Sequence, residues 1–291
     1  MGDHPRHVPV LQKEVLQILS PREGETVLDC TLGAGGHAKL FLQTIGPKGK
    51  LIGLDADQEN FKIARENLLE WSHQCTFFHE NFRNIDHLDL PPLDIIFADL
   101  GISSMHIDDP MRGFSFRHNV PLDLRFNREK GTAARQWIRE ASLEEIVHIL
   151  KDYGECTQSR KLARLLKSNS VQTNEDVVSC AHKLFGWRAK HVLPQIFQAL
   201  RIVVNDEIGS LEILLQKGPR LLKPGGRMGI ISFHSLEDRA VKHAFRTRTT
   251  SKYDAPFTLL TKKPIRPSEK EVQQNPRSRS ALLRAIERTP F

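Results

Sequence analysis

Short apolar runs alternate with amphipathic stretches over the first hundred residues of the chain. In HVPVLQKEVLQIL (7–19), Val8, Leu11, Val15, Leu16 and Leu19 recur at helical spacing, and Pro21 ends the segment. A first strand is predicted over 26–32, then a glycine-rich turn, then a helix to about Ile45. The runs LIGLDAD (51–57), TFFHENF (76–82) and DIIFADLG (94–101) read as further strands, with an amphipathic helix over 58–71. This alternation predicts an α/β fold with a parallel sheet covered on both faces.

The rhythm stops at residue 102. Residues 102–127, ISSMHIDDPMRGFSFRHNVPLDLRFN, are polar and aromatic without a clean period. Residues 131–186 read as a block of helices, with Thr132, Ser142 and Thr173 where caps are expected. One long amphipathic helix is expected over Phe197–Leu222, ended by Pro224-Gly225-Gly226. A strand (227–235), a helix and an irregular basic tail follow, with a closing strand in SALLRAIER. A helical block that interrupts a β/α alternation implies an insertion. The expected division is 1–107 with 194–291 as one discontinuous domain, and 108–193 as an inserted helical, substrate-binding domain.

Composition adds two constraints. The 291 residues, 39% hydrophobic and 26% charged, suit a soluble globular protein. No apolar run approaches the ~20 residues of a bilayer span, and MGDHPRHVPVLQKEV lacks a signal-peptide core, so a cytoplasmic protein without a membrane partner is expected. Cys30, Cys75, Cys156 and Cys180 form no C-x-x-C pair and suggest neither a disulfide framework nor a zinc site. No metal is expected. The net charge of +7 is carried entirely by residues 246–291, which hold eleven Lys/Arg against four acids. A basic arm on a neutral body suits a polyanion partner, because Lys and Arg release counterions from phosphates. A solvated tail without a partner is the plainer alternative.

Chemistry concentrates at the predicted strand ends. Asp29, Asp55 and Asp99 close three strands, and Gly33, Gly35 and Gly36 crowd the first turn. In open parallel sheets ligands bind at the carboxyl ends of strands, and an acid in the place of Asp55 takes ribose hydroxyls. A dinucleotide wants G-x-G-x-x-G, and Ala38 stands at the third position, where alanine is tolerated. The glycines alone therefore do not decide the ligand. Asp29 discriminates better: it would repel a pyrophosphate, whereas S-adenosylmethionine carries an ammonium and a sulfonium. A hydrolase triad from His234, Ser235 and Asp238 is disfavoured, since these residues are sequence neighbours without a G-x-S-x-G elbow. His234 with His243 lacks a third ligand at metal spacing.

Longer strings then carry a family resemblance. HVPVLQKEVL (7–16), DCTLGAGGH (29–37), GLDAD (53–57), DLGISS (99–104), RGFSF (112–116), PLDLR (121–125), FQALRIVVNDE (197–207), LKPGGRMGIISFHSLEDR (222–239) and NPRSRSALLR (275–284) run almost end to end. In these the chain resembles the bacterial 16S ribosomal RNA cytosine-N4 methyltransferases of the RsmH (MraW) family. The resemblance implies a Rossmann-like S-adenosylmethionine-dependent methyltransferase sheet with an inserted helical domain. It implies S-adenosylmethionine as cofactor and 16S ribosomal RNA or the small ribosomal subunit as partner. It also implies cofactor contacts from Gly35, Gly36, His37, Asp55, Phe82, Asp99 and the position of His106; Asp29 and Gly33 join this set on the reading above. His106 stands where the family usually has Gln, and Val192-Leu193-Pro194-Gln195 replace its usual Pro-Ala-Thr-Arg.

Asp99 is the expected proton acceptor of the transfer, with Ser103, Ser104 and Asp123 as the next candidates. Phe114 and Phe116, either as lid anchors or as base-stacking rings, Arg125, and the arm residues Arg277 and Arg279 are the expected substrate contacts. Competing readings are a methyltransferase for another RNA or a non-RNA substrate, and a non-catalytic RNA-binding assembly factor. A homodimer is one of the assemblies the pattern allows.

Overall fold

One seven-stranded sheet organises the computed structural model, which describes residues 8–250 and 256–290. Its strands are β1 (Thr26–Asp29), β2 (Lys50–Asp55), β3 (Cys75–His79), β4 (Leu93–Asp99), β5 (Leu222–Ser232), β6 (Phe257–Leu259) and β7 (Leu282–Arg288), in the order β3-β2-β1-β4-β5-β7-β6. The first five pair in parallel; β7 pairs antiparallel with both β5 and β6. In chain order the helices begin with α1 (Gln12–Leu19), α2 (Gly36–Ile45) and α3 (Gln58–Asn67). Next come α4 (Ser104–Asp108), α5 (Ala134–Glu140), α6 (Leu143–Asp152), α7 (Ser159–Ser168), α8 (Asn174–Phe185) and α9 (Ala189–Asn205). The last three are α10 (Glu207–Lys217), α11 (Ser235–Thr249) and α12 (Glu269–Gln274).

The chain divides into two units, Met1–Gly101 with Gly209–Phe291, and Ile102–Ile208. In the first, the two-residue period of the strands sends alternate side chains to opposite faces. Val27, Leu51, Ile95, Phe97 and Ile231 join Phe41, Leu42 and Ile45 of α2 on one side. Leu28, Ile52, Ile96, Ala98 and Ile230 join Leu214 of α10 with Val241 and Phe245 of α11 on the other. Burial on both faces explains why these strands read as near-continuous apolar runs. Arg227 of β5, only 5% exposed, donates to the carbonyls of Leu19 and Ser20 and makes a two-pronged ion pair with Glu25 at 2.8 and 2.9 Å. It thereby fastens the end of α1 to the sheet.

The second unit is helical and has its own core, including Leu122, Ile146, Leu150, Leu162, Leu166, Val177, Ile196 and Leu200. Its helix starts carry the predicted chemistry at Ser142 and Thr173, which accept the Glu145 and Asp176 N–H groups in reciprocal caps. Thr132 does not cap; α5 starts after Ala133, without a side-chain cap.

Several boundaries differ from expectation. The helical unit spans Ile102–Ile208, wider than 108–193, because Ile102, Phe197, Val203 and Val204 pack on its core. The single helix expected over 197–222 is two. Asp206 adopts a left-handed φ of 47°, while Asn205 donates to the Leu124 carbonyl and accepts the Phe126 N–H. Apolar spacing continues across the break, so periodicity alone cannot reveal it. Pro224, Gly225 and Gly226 end no helix; they lie within β5, at an irregularity opposite Leu93 and Ile95. β3 ends at His79 rather than residue 82, and the tail contributes β6 as well as the expected closing strand. His7, where the first helix was expected to open, lies outside the described residues, as do Lys252 and Asp254 of the basic segment. Among the described residues no helix is long and apolar enough to cross a membrane.

Arg227→Met should lower stability by about 3–5 kcal/mol in urea titration, because it leaves Glu25 and two carbonyls without their buried partner. A loss below about 1 kcal/mol would show that the tie between α1 and β5 is incidental.

Candidate active site

The strand order reverses at β1, which has β2 on one side and β4 on the other. Open α/β sheets hold ligands at such a switch point, outside the carboxyl ends of the strands. Asp29 ends β1 in register with Gly53 and Phe97, and Asp99 ends β4. Thr31 links the two ends. Its N–H donates to Asp29 Oδ1 at 3.0 Å, and its Oγ1 accepts the Asp99 N–H at 2.6 Å.

Beyond Thr31 the chain turns through Gly33 and Gly35, at φ of 52° and 84°, where a side chain would strain the backbone. Gly36 opens α2, and a Cβ there would lie 2.6 Å from Pro9 Cγ. The turn is tied to the end of β2 by the Gly33 N–H, which donates to Asp55 Oδ2 at 2.7 Å. Asp55 Oδ1 accepts the Asp57 N–H at 2.8 Å, and the Asn60 amide reaches both carboxylate oxygens at 3.1 Å. The acid expected to meet a ribose is thus braced from behind.

Electrostatics mark the centre of the site. Asp29 is 1% exposed; burial pushes its carboxyl up to about 7, with the nearby Asp55 charge adding to the rise. Burial also raises Asp99 well above an ordinary carboxyl, reinforced by the charges of Asp29 and Glu237. Neither has a Lys or Arg partner among the described residues, and Asp29 Oδ2 and Asp99 Oδ1 make no hydrogen bond there. His37 Nε2 lies 3.7 Å from Asp99 Oδ2, and its ring packs 4.6 Å from Phe97. A cradle of buried carboxyls beside a glycine turn suits a ligand carrying ammonium and sulfonium charge and opposes a pyrophosphate. The donor set therefore fits S-adenosylmethionine. Phe82 opens a 3-10 turn past the end of β3 and is half-buried against the apolar layer containing Leu54 and Ile85.

The other candidates from the insert lie in the helical unit. Ser103 caps α4, which begins at Ser104; its N–H donates to His106 Nδ1 at 3.1 Å and its Oγ accepts the His106 N–H at 3.4 Å. Gln commonly fills this third helical position in such a reciprocal cap, so His106 can replace it without losing the cap. The His106 ring lies 5.0 and 5.1 Å from the rings of Phe114 and Phe126. Phe114 is 8% exposed and belongs to the unit's core, which corrects its reading as a stacking surface in favour of an anchor. Phe116 is half-buried against Phe197. Asp123 and Arg125 form a two-pronged ion pair at 2.8 and 2.9 Å. Burial pushes Asp123 up, but the hydrogen bonds and charge of Arg125 outweigh it and hold the carboxyl below its ordinary value. This corrects the reading of Asp123 as a proton acceptor, and it ties Arg125 into the fold.

Within the basic arm, Arg277 and Arg279 are exposed on a 3-10 turn. Arg284 is buried and paired through two hydrogen bonds with Asp238, at 2.7 and 3.1 Å. That pairing, with His234 Nδ1 accepting the Glu237 N–H at the start of α11, excludes the His234-Ser235-Asp238 triad. Thr31, Asn60 and Glu237 were missed by sequence reasoning. Asn60 was the most accessible of them: a polar residue on the buried side of α3, one turn beyond the acid ending β2.

The folded value of Asp29, about 7, lies above its ordinary 3.8, so the folded chain keeps a proton that the unfolded chain has lost. Its contribution to stability therefore falls as pH rises from about 4 to about 7. Asp29→Asn removes that slope, so the variant should gain on the parent steadily across this window and remain level above it. Parallel stability curves in urea titrations between pH 4 and 8 would remove the buried charge from the argument.

Comparison with known proteins agrees with this geometry. A family model described as the MraW methylase family matches residues 4–289. The "Ribosomal RNA small subunit methyltransferase H" of Sorangium cellulosum is 42% identical over 294 residues, covering 97% of this chain and 91% of the relative. The protein of the same name from Thermotoga neapolitana is 40% identical over 294 residues, covering 97% and 95%. The solved structure of PH0851 resembles the fold with a TM-score of 0.50 at 14% identity, covering 95% of this chain and 45% of that one. The methyl donor is S-adenosylmethionine. With a glycine turn and buried carboxyls at the switch point of its sheet, and a family match over nearly its whole length, the chain belongs to the MraW methylase family.

Proposed function

We propose that the chain transfers a methyl group from S-adenosylmethionine to N4 of a cytidine in the decoding region of 16S ribosomal RNA. The relatives named above are small-subunit ribosomal RNA methyltransferases. The observation that carries the reading is the pair of buried carboxyl oxygens, on Asp29 and Asp99, that point at no partner beside the glycine turn.

S-adenosylmethionine supplies, when bound, a methyl group activated on a sulfonium. Asp29 stabilises the positive end of that molecule, and the Gly33–Gly36 turn lets the backbone approach it closely. Asp55, positioned by Gly33 and Asn60 at the end of β2, takes the ribose hydroxyls. The exocyclic amine of cytosine is a poor nucleophile, since its lone pair is delocalised into the ring. Alignment of that nitrogen with the methyl carbon supplies about 7–11 kcal/mol. Asp99 accepts a hydrogen bond from the amine and takes its proton as the nitrogen becomes cationic. Its raised affinity for protons makes it a stronger base than a surface carboxylate. Arg277 and Arg279, exposed and on the basic arm, contact RNA phosphates; Arg284, locked to Asp238, does not.

Turnover should rise with pH as Asp99 loses its proton, and Asp99→Asn should lower it by about 10²–10⁴-fold and flatten that rise. Nucleoside mass spectrometry of small subunits lacking the modification tests the main claim. A methyl group on N4 of cytidine is expected; a methyl only on C5 or on a ribose 2′-hydroxyl would overturn it. In RNA-binding titrations, Arg277→Ala with Arg279→Ala should lower the salt slope by about 1–2 units. Arg284→Ala should instead lower stability, and the reverse pattern would refute the division of the arm.

A further inference from the structure

At the end of α8 the helical unit carries an aromatic ring that its own core does not use. Gly186 closes that helix at a φ of 57°, with open space where a Cβ would stand. The turn presents Trp187, which is 72% exposed although the unit buries Phe114, Phe197 and many aliphatic side chains. Its indole therefore stands outside that core, with most of its surface open to a partner.

Its surroundings identify what it meets. The Arg188 guanidinium stands 5.3 Å from the Trp187 ring centroid, in a cation–π arrangement that stiffens the indole. Lys183 and Lys190 are exposed on either side, and residues 182–191, HKLFGWRAKH, contain no acid. The other Lys/Arg and Asp/Glu of Ile102–Ile208 balance, so the unit's entire positive surplus sits on this tip. A protein partner that buried the indole would also have to compensate three cations. A membrane surface is poorly matched by one aromatic residue on a short turn. Single-stranded nucleic acid presents both complements together, because every base has a π-face and every linkage a negative charge.

We infer that the Trp187 tip is an RNA-docking point, where the indole stacks on an unpaired base while Arg188, Lys183 and Lys190 contact the flanking phosphates. This rests on the proposed RNA substrate and assigns a docking role to the helical unit. The phosphate contacts make association salt-dependent, and the stack adds binding that tolerates any base.

The test uses the full chain and a single-stranded oligoribonucleotide, with small ribosomal subunits as the second ligand. Trp187→Ala should weaken binding to both by about tenfold, and Trp187→Tyr should recover most of the loss. Lys183→Gln, Arg188→Gln and Lys190→Gln combined should lower the salt slope by about 2 units. Thermal melting and the affinity for S-adenosylmethionine report that each variant is folded. RNA affinity within twofold of the parent for Trp187→Ala would overturn the inference. So would a change confined to self-association in sedimentation, which would assign the tip to a second copy of the chain. If the parent binds RNA and methylates it while the tip variants behave alike, only this inference fails. If the parent binds no RNA, the proposed function fails with it.

Discussion

Two carboxyl groups buried on neighbouring parallel strands are the constraint around which the sheet unit is arranged. Asp29 and Asp99 lie at the ends of β1 and β4, where the strand order reverses and a crevice must open. Burying even one carboxylate without a cation is costly, and the Asp29 charge raises Asp99 further. Burial accordingly raises the proton affinity of both, that of Asp29 to about 7. A ligand that brings positive charge would lower that proton affinity again.

The surrounding contacts hold this arrangement in place. Thr31 joins the two strand ends through one amide and one hydroxyl. Asn60 and the Gly33 amide fix Asp55, so the glycine turn and the end of β2 move together. Glu237 accepts the N–H groups of Phe233 and His234 at the start of α11 and adds a further negative charge that Asp99 senses. None of these brackets uses the two carboxyl oxygens that lack partners. Preorganisation of this kind lowers the reorganisation required when the charge distribution changes during reaction.

Charge in this protein divides by geometry. Arg227, Arg284 and Arg125 are each locked to a carboxylate by two hydrogen bonds and serve the fold. Arg277, Arg279, Arg188, Lys183 and Lys190 are exposed to solvent. The first group has its orientation fixed by planar two-pronged pairing, which guanidinium groups favour. The second lies on the surface of the fold.

The β/α alternation, the acids ending the strands, the glycine turn and the interrupting helical block were all legible in the sequence. Each depends on local periodicity or on a residue type with special backbone freedom, such as Gly35 at φ 84°. Long strings such as LKPGGRMGIISFHSLEDR made the family legible as well. What the sequence could not decide was which polar residues were already engaged. Asp123 and Arg284 look like free chemistry in a string of letters, yet each is neutralised by a partner, two residues away for Asp123 and 46 residues away for Arg284. Asp29 and Asp99, 70 residues apart, come together because β1 and β4 pair directly. The break at Asp206 is invisible to periodicity for the same reason: it is stabilised by Asn205 reaching Leu124 and Phe126, contacts that local spacing does not encode. Local patterns determine which elements form, whereas ionisation and hydrogen-bond satisfaction depend on through-space neighbours, and those exist only once the chain has folded.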